Sequence, residues 1–165
     1  MSQEWSRVDP EHKAVIEPFL EEVPVKVAGM ARALGLEVKA ATLKPRISGQ
    51  ISPTASSPSG YRIRVNRHEA KVRQRFTIAH EIAHYLLHRD HIGDGLEDTI
   101  LYRSTLSDRR EAEANRLAAD LIMPEKSVVA SLRALGARAT PEVATILADK
   151  YDVSEAAMKI RLGLG

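Results

Sequence analysis

Between residues 68 and 88 the sequence reads as one long helix that is apolar on two sides, and such a helix must lie buried between other layers. Counting 100° per residue from His80, the residues Val72, Phe76, Ala79, Ala83, Leu86 and Leu87 fall between about −120° and −20°, a stripe that faces a core. Ile78 and Ile82 fall on the far side, at about 160° and 200°. The remainder of a 165-residue chain has to supply the surrounding layers, and a composition that is 44% hydrophobic is sufficient for that.

The flanking segments predict what those layers are. Asp9-Pro10 opens a first helix whose short apolar stripe, Val15, Ile16, Phe19 and Leu20, is interrupted by Pro18. A second helix is expected from Pro24 to about Leu34, with Gly35 as its C-terminal cap. Ile47 to Ile51 and Tyr61 to Val65 alternate around the turn-rich PTASSPSG, which predicts a small antiparallel sheet. Ser107 can cap a further helix running to about Met123, where Pro124 marks a stop. Three short helices follow at 126–135, 141–150 and 154–162. Strands gathered before helices predict an α+β fold rather than a parallel βαβ array. One domain is expected over 1–165, with N-terminal helices in 1–45, the sheet in 46–66, two long helices in 67–124 and C-terminal helices in 125–165.

The long helix carries His80-Glu81-Ile82-Ala83-His84, an H-E-x-x-H pattern that sets two imidazoles on one helical face, within reach of one ion. Both histidines border the core-facing stripe, and Glu81 projects about 100° from His80, beside the pair, where a general base belongs. The chain has no cysteine, so any metal must be held by His and carboxylate side chains. A catalytic zinc site uses three protein ligands and a water, which calls for one more ligand. Glu111 and Glu113 are the candidates. On the helix after Ser107, Glu111 borders the buried face formed by Ala114, Leu117, Ala118, Leu121 and Ile122, whereas Glu113 falls near about 200°, on the opposite side. That selects Glu111. Asn115 lies one turn later on the same face, as a hydrogen-bond partner for a ligating side chain or as an ordinary buried asparagine.

The stretches RQRFTIAHEIAHYLLH and EAEANRLAADLIMP resemble the ImmA/IrrE metallopeptidases. The resemblance implies that His80, His84 and Glu111 ligate Zn²⁺ and that Glu81 is the catalytic acid and base. It implies a protein substrate as well, a helix-turn-helix repressor encoded nearby, whose cleavage switches on stress, DNA-damage, phage or mobile-element genes. Glu111 and Asn115 look like the E-x-x-x-D element of gluzincins with Asn in place of Asp.

Other residues carry weaker signals. Tyr102, between the two long helices, is a candidate donor to a developing oxyanion or a packed aromatic ring. Arg62, Arg64, Arg67, Lys71, Arg73 and Arg75 form a positive cluster that suits either a solvated face or phosphate contact by a nucleic-acid activator. His88 shares a ridge with His84, but a fourth histidine ligand would close the water position, so a structural role is expected. The edge strand Ile47 to Ile51 is where an extended peptide would pair. The last two helices resemble a helix-turn-helix unit, which supports a DNA-binding regulator as an alternative, although their apolar residues equally suit packing onto the body. An inactive zinc scaffold is a third reading. The polar start MSQEWSRVDPEHK and the lack of an eighteen-residue apolar run predict a soluble, cytoplasmic protein with no membrane contact.

Overall fold

The computed structural model describes residues 1–93, 105–136 and 138–165. Among these, three helices, α1 (Gln3–Ser6), α2 (Pro10–Leu20) and α3 (Val27–Ala33), precede strands β1 (Glu37–Ala41), β2 (Gly49–Pro53) and β3 (Tyr61–Asn66). Helix α4 (Lys71–Leu87) follows, then a 3-10 turn at Arg89–His91. Helices α5 (Thr105–Ile122), α6 (Glu125–Ala134), α7 (Pro141–Tyr151) and α8 (Glu155–Arg161) complete the chain. The fold is α+β.

The sheet is mixed rather than antiparallel. Its order is β1-β3-β2, with β2 antiparallel to β3 and β1 parallel to β3 in the register Glu37 to Arg62 through Ala41 to Asn66. The strand absent from the sequence reading is β1, whose EVKAA carries two charges and two alanines and so lacks the composition of a strand. Its start is set by the end of α3. Gly35, at φ 85°, lets Leu36 N–H reach Ala31 O at 2.9 Å and Gly35 N–H reach Arg32 O at 2.9 Å. These two bonds close the helix and turn the chain into the strand. Helix α2 runs through Pro18 to Leu20 instead of breaking there, because so near its end the proline removes little of the helical ladder.

Helix α4 occupies the middle of the molecule, between the sheet and α3 on one side and α5 on the other. Ile78 and Ile82 are 7% and 0% exposed, and Ala79 and Ala83 are fully buried, so both apolar sides are covered. Val72 and Phe76 are only half-buried. They sit near the N-terminal end of α4, where the covering layers part into a cleft. From α5, Leu117, Leu121 and Ile122 complete the core, joined by Leu147, Tyr151 and Met158 of the last two helices. Among the described residues no helix is long and apolar enough to cross a membrane.

Candidate metal centre

His80 and His84 stand one turn apart on α4, their rings edge to face at 86° with centroids 4.7 Å apart. The packing of α5 against α4 carries Glu111 to the same point. Its Oε2 lies 2.9 Å from His80 Nε2 and its Oε1 2.9 Å from His84 Nε2, while the two Nε2 atoms are 3.1 Å apart. His80, His84 and Glu111 thus form a group able to hold a metal ion, with ligand atoms all within 4.8 Å of one another. Bonds of about 2.0–2.1 Å in a tetrahedron place ligand atoms roughly 3.3 Å apart, close to the spacing of this trio. Two imidazole nitrogens facing each other at 3.1 Å repel unless a proton or a cation lies between them. Two imidazoles and one carboxylate are a donor set that suits a divalent cation such as zinc.

The electrostatics agree with the geometry. Burial opposes ionisation of Glu111, but the hydrogen bonds and charges of His80 and His84 outweigh it and hold the carboxyl well below the usual carboxylate range. Burial likewise disfavours the charged form of His80. The hydrogen bond that His80 donates to Glu111 and the charges of Glu81 and Glu111 prevail, raising the imidazole above its ordinary value. Glu81 is 5% exposed and lines the same cleft as His80, Glu111 and Asn115.

On its other ring nitrogen each histidine meets a second group. Asn115 Oδ1 is 2.8 Å from His80 Nδ1. His84 Nδ1 is 3.0 Å from His88 Nδ1, and His88 Nε2 is 3.2 Å from Glu113 Oε1, whose other oxygen accepts from Arg7. Glu113 was expected on the side of α5 opposite its buried face, and there it is only 9% exposed. The face opposite the core is covered too, because α1 and the residues after it pack there and bring Arg7. Burial raises the Glu113 carboxyl, but the hydrogen bonds from Arg7 and His88 overcome that and lower it. Burial pushes the His88 imidazole down, with the charges of His84 and Arg7 adding to it against the pull of Glu113. Sequence reasoning left His88 and Glu113 outside the site. The available signal was His88 lying four residues beyond His84 on one ridge.

The cleft beside this trio has a volume of about 530 Å³. Ile47, Ser48 and Gly49 form one wall, and Val72 and Phe76 with Ala157 and Ile160 of α8 make another, apolar one. Among the described residues β2 is hydrogen-bonded within the sheet to β3 alone, and its first residue, Gly49, lines this space.

The positive cluster is largely engaged within the chain. Arg62 pairs with Glu37 at 3.4 Å, Arg67 donates to Ala40 O at 3.0 Å and Arg73 lies 3.6 Å from Glu69. Lys71 and Arg75 both meet the Asp152 carboxylate, and Arg75 also donates to the backbone carbonyls of Asp152 and Tyr151. Arg64 is half-buried on β3. In the last two helices, expected to resemble a helix-turn-helix unit, Arg161 points inward to Met123 O and to Asp120, leaving Lys159 as the other cation of α8. Tyr102 lies outside the described residues.

The family model Peptidase_M78, described as the IrrE N-terminal-like domain, matches residues 33–163, which takes in the sheet, α4, α5 and all three later helices. A search of curated proteins finds none that matches.

Proposed function

Because the chain belongs to the Peptidase_M78 family of IrrE N-terminal-like domains and is a metallopeptidase of the IrrE/ImmA type, we propose that it is a zinc-dependent endopeptidase. Its substrate, in this reading, is a helix-turn-helix transcriptional repressor, cut at one specific peptide bond so that repression is relieved. The observation that carries the reading is the convergence of His80, His84 and Glu111 at the head of a cleft that Glu81 also lines. The repressor as substrate rests on the family resemblance.

His80 and His84 would hold the ion through Nε2 and Glu111 through its carboxylate, the three protein ligands that a catalytic zinc site uses. When bound, Zn²⁺ supplies Lewis acidity, making a water more acidic and a carbonyl more electrophilic. Glu81 takes a proton from the attacking water, whose oxygen bonds to the scissile carbonyl carbon. As the C–N bond breaks, Glu81 returns that proton to the departing amine nitrogen, so it ends the cycle as it began. Asn115 accepts from His80 Nδ1–H and thereby holds Nε2 toward the ion. Tyr102 is the proposed donor to the developing oxyanion. The substrate lies extended along the outer edge of β2, adding a strand to the sheet and passing over Glu81.

Glu81→Gln tests the central step. The variant is expected to keep its zinc and lose cleavage of the repressor by about a hundredfold or more, read as the appearance of two fragments on co-incubation. A Glu81→Gln chain that cuts at the wild-type rate removes Glu81 from the mechanism. Intact repressor after incubation with the zinc-loaded wild type removes that substrate.

A further inference from the structure

The two histidines of the candidate centre are supported unequally. Among the described residues His80 has one partner behind it, whereas behind His84 runs a chain of groups through three parts of the fold: the buried His88 at the end of α4 and Glu113 on α5, and the exposed Arg7 after α1. His84 and His88 are 4% and 5% exposed, so water contributes little to settling their protons.

Hydrogen-bond logic fixes the direction of the whole chain. His84 Nε2 faces Glu111 and His80 Nε2, so as a ligand it must carry a lone pair there. Its proton is then on Nδ1, which must donate to whatever lies 3.0 Å away, and that is His88 Nδ1. His88 Nδ1 must therefore accept, which puts the His88 proton on Nε2. That nitrogen faces Glu113 Oε1 at 3.2 Å, a carboxylate able only to accept, and the remaining oxygen of Glu113 accepts from Arg7. Both imidazole donors point away from the candidate metal position and toward one negative charge, which Arg7 meets from the other side.

Resting on the reading of His84 as a ligand, we propose that His88 is a positioning residue for the metal: it locks the tautomer and ring orientation of His84 and relays to it the charge of Glu113. A histidine ligand whose outer N–H is held by a carboxylate binds metal more strongly, and loss of such a partner costs about tenfold to a hundredfold in affinity. Here the support passes through an intervening imidazole. Arg7 anchors the far end through Glu113 Oε2, which orients the Oε1 that His88 uses.

The test is Zn²⁺ affinity, measured on the full apo chain by competition with a chromophoric chelator, together with the thermal midpoint of the apo chain. His88→Leu removes the acceptor and is expected to weaken Zn²⁺ binding by about tenfold or more. His88→Asn can place an amide oxygen near the former Nδ1 and is expected to recover most of that loss, although it severs the link to Glu113. Glu113→Gln keeps an oxygen and removes the charge, with an expected few-fold weakening. A purely structural role would lower the apo midpoint in both His88 variants and leave their Zn²⁺ affinities equal to wild type. Wild-type affinity in His88→Leu, or equal weakening in His88→Leu and His88→Asn, overturns the proposal. If His88→Leu does not fold, Glu113→Gln decides it, and unchanged affinity there overturns it. A wild-type chain that binds no Zn²⁺ overturns instead the ligand reading beneath it.

Discussion

Gly49 controls how closely β2 can approach α4. A Cβ at that position would collide with Thr77 Cγ2, come within 2.9 Å of Arg64 O and lie 3.8 Å from Glu81 Cγ. The missing side chain therefore lets the outer edge of β2 lie beside the candidate base. Gly49→Ala is expected to push the strand off the helix, costing about 1–3 kcal/mol in a denaturant titration and lowering kcat/KM by more than that loss of folded protein explains. A neutral result would show that β2 and α4 are free to separate. Nothing in the sequence marks this glycine, since the close approach depends on residues about thirty positions away. The H-E-x-x-H spacing, by contrast, is local to one helix and legible directly. Glu111 was separable from Glu113 by helical angle because α4 packs on one face of α5, but the same count misjudged Glu113, whose outer face α1 covers.

At the scale of elements, the helices were legible because their signals are local: Thr140 and Ser154 each accept from a backbone N–H three residues on, opening α7 and α8. The pairing of β1 was not, because its partner is chosen by side chains brought from elsewhere. Glu37 on β1 meets Arg62 on β3 at 3.4 Å, Lys39 at 3.0 Å and Ser56 in the β2–β3 connection at 2.7 Å. The hydrogen bonds from Ser56 and Lys39, with the Arg62 charge behind them, lower the Glu37 carboxyl from 4.5 to about 2. A depressed carboxylate contributes stability that is complete above its unfolded value and disappears as pH falls through the folded one. Between about pH 4.5 and 2, wild type is therefore expected to lose stability more steeply than Glu37→Gln, compared by denaturant midpoints across that range. Parallel curves for the two proteins would show that this cluster does not hold β1 in place. The same elements bear on nucleic acid: the inward turn of Arg75 and Arg161 ties α7 and α8 to the body, so these cations serve the packing that shapes the cleft.

Across the whole molecule, one buried carboxylate joins segments far apart in sequence. Asp120 on α5 is fully buried and accepts from Ser2 N–H at 2.9 Å, from the Ser2 hydroxyl and from Arg161 at 3.0 Å, so it ties the first residues and α8 to the helix that carries Glu111. Removing it leaves Arg161 without that partner. Asp120→Ala is expected to cost about 3 kcal/mol of stability, seen as a lower thermal midpoint, and to loosen the apolar wall that Ala157 and Ile160 add to the cleft. An unshifted midpoint would mean that α8 is held by Met158 and its apolar neighbours alone. The architecture thus converges on the meeting of α4 and α5, and the most direct measurement is the metal content of the purified wild-type chain set beside Glu111→Ala. The account predicts about one zinc per wild-type chain and a marked loss from Glu111→Ala with the fold intact by circular dichroism. A wild-type chain without stoichiometric metal, or a Glu111→Ala chain that holds it as tightly, would contradict it.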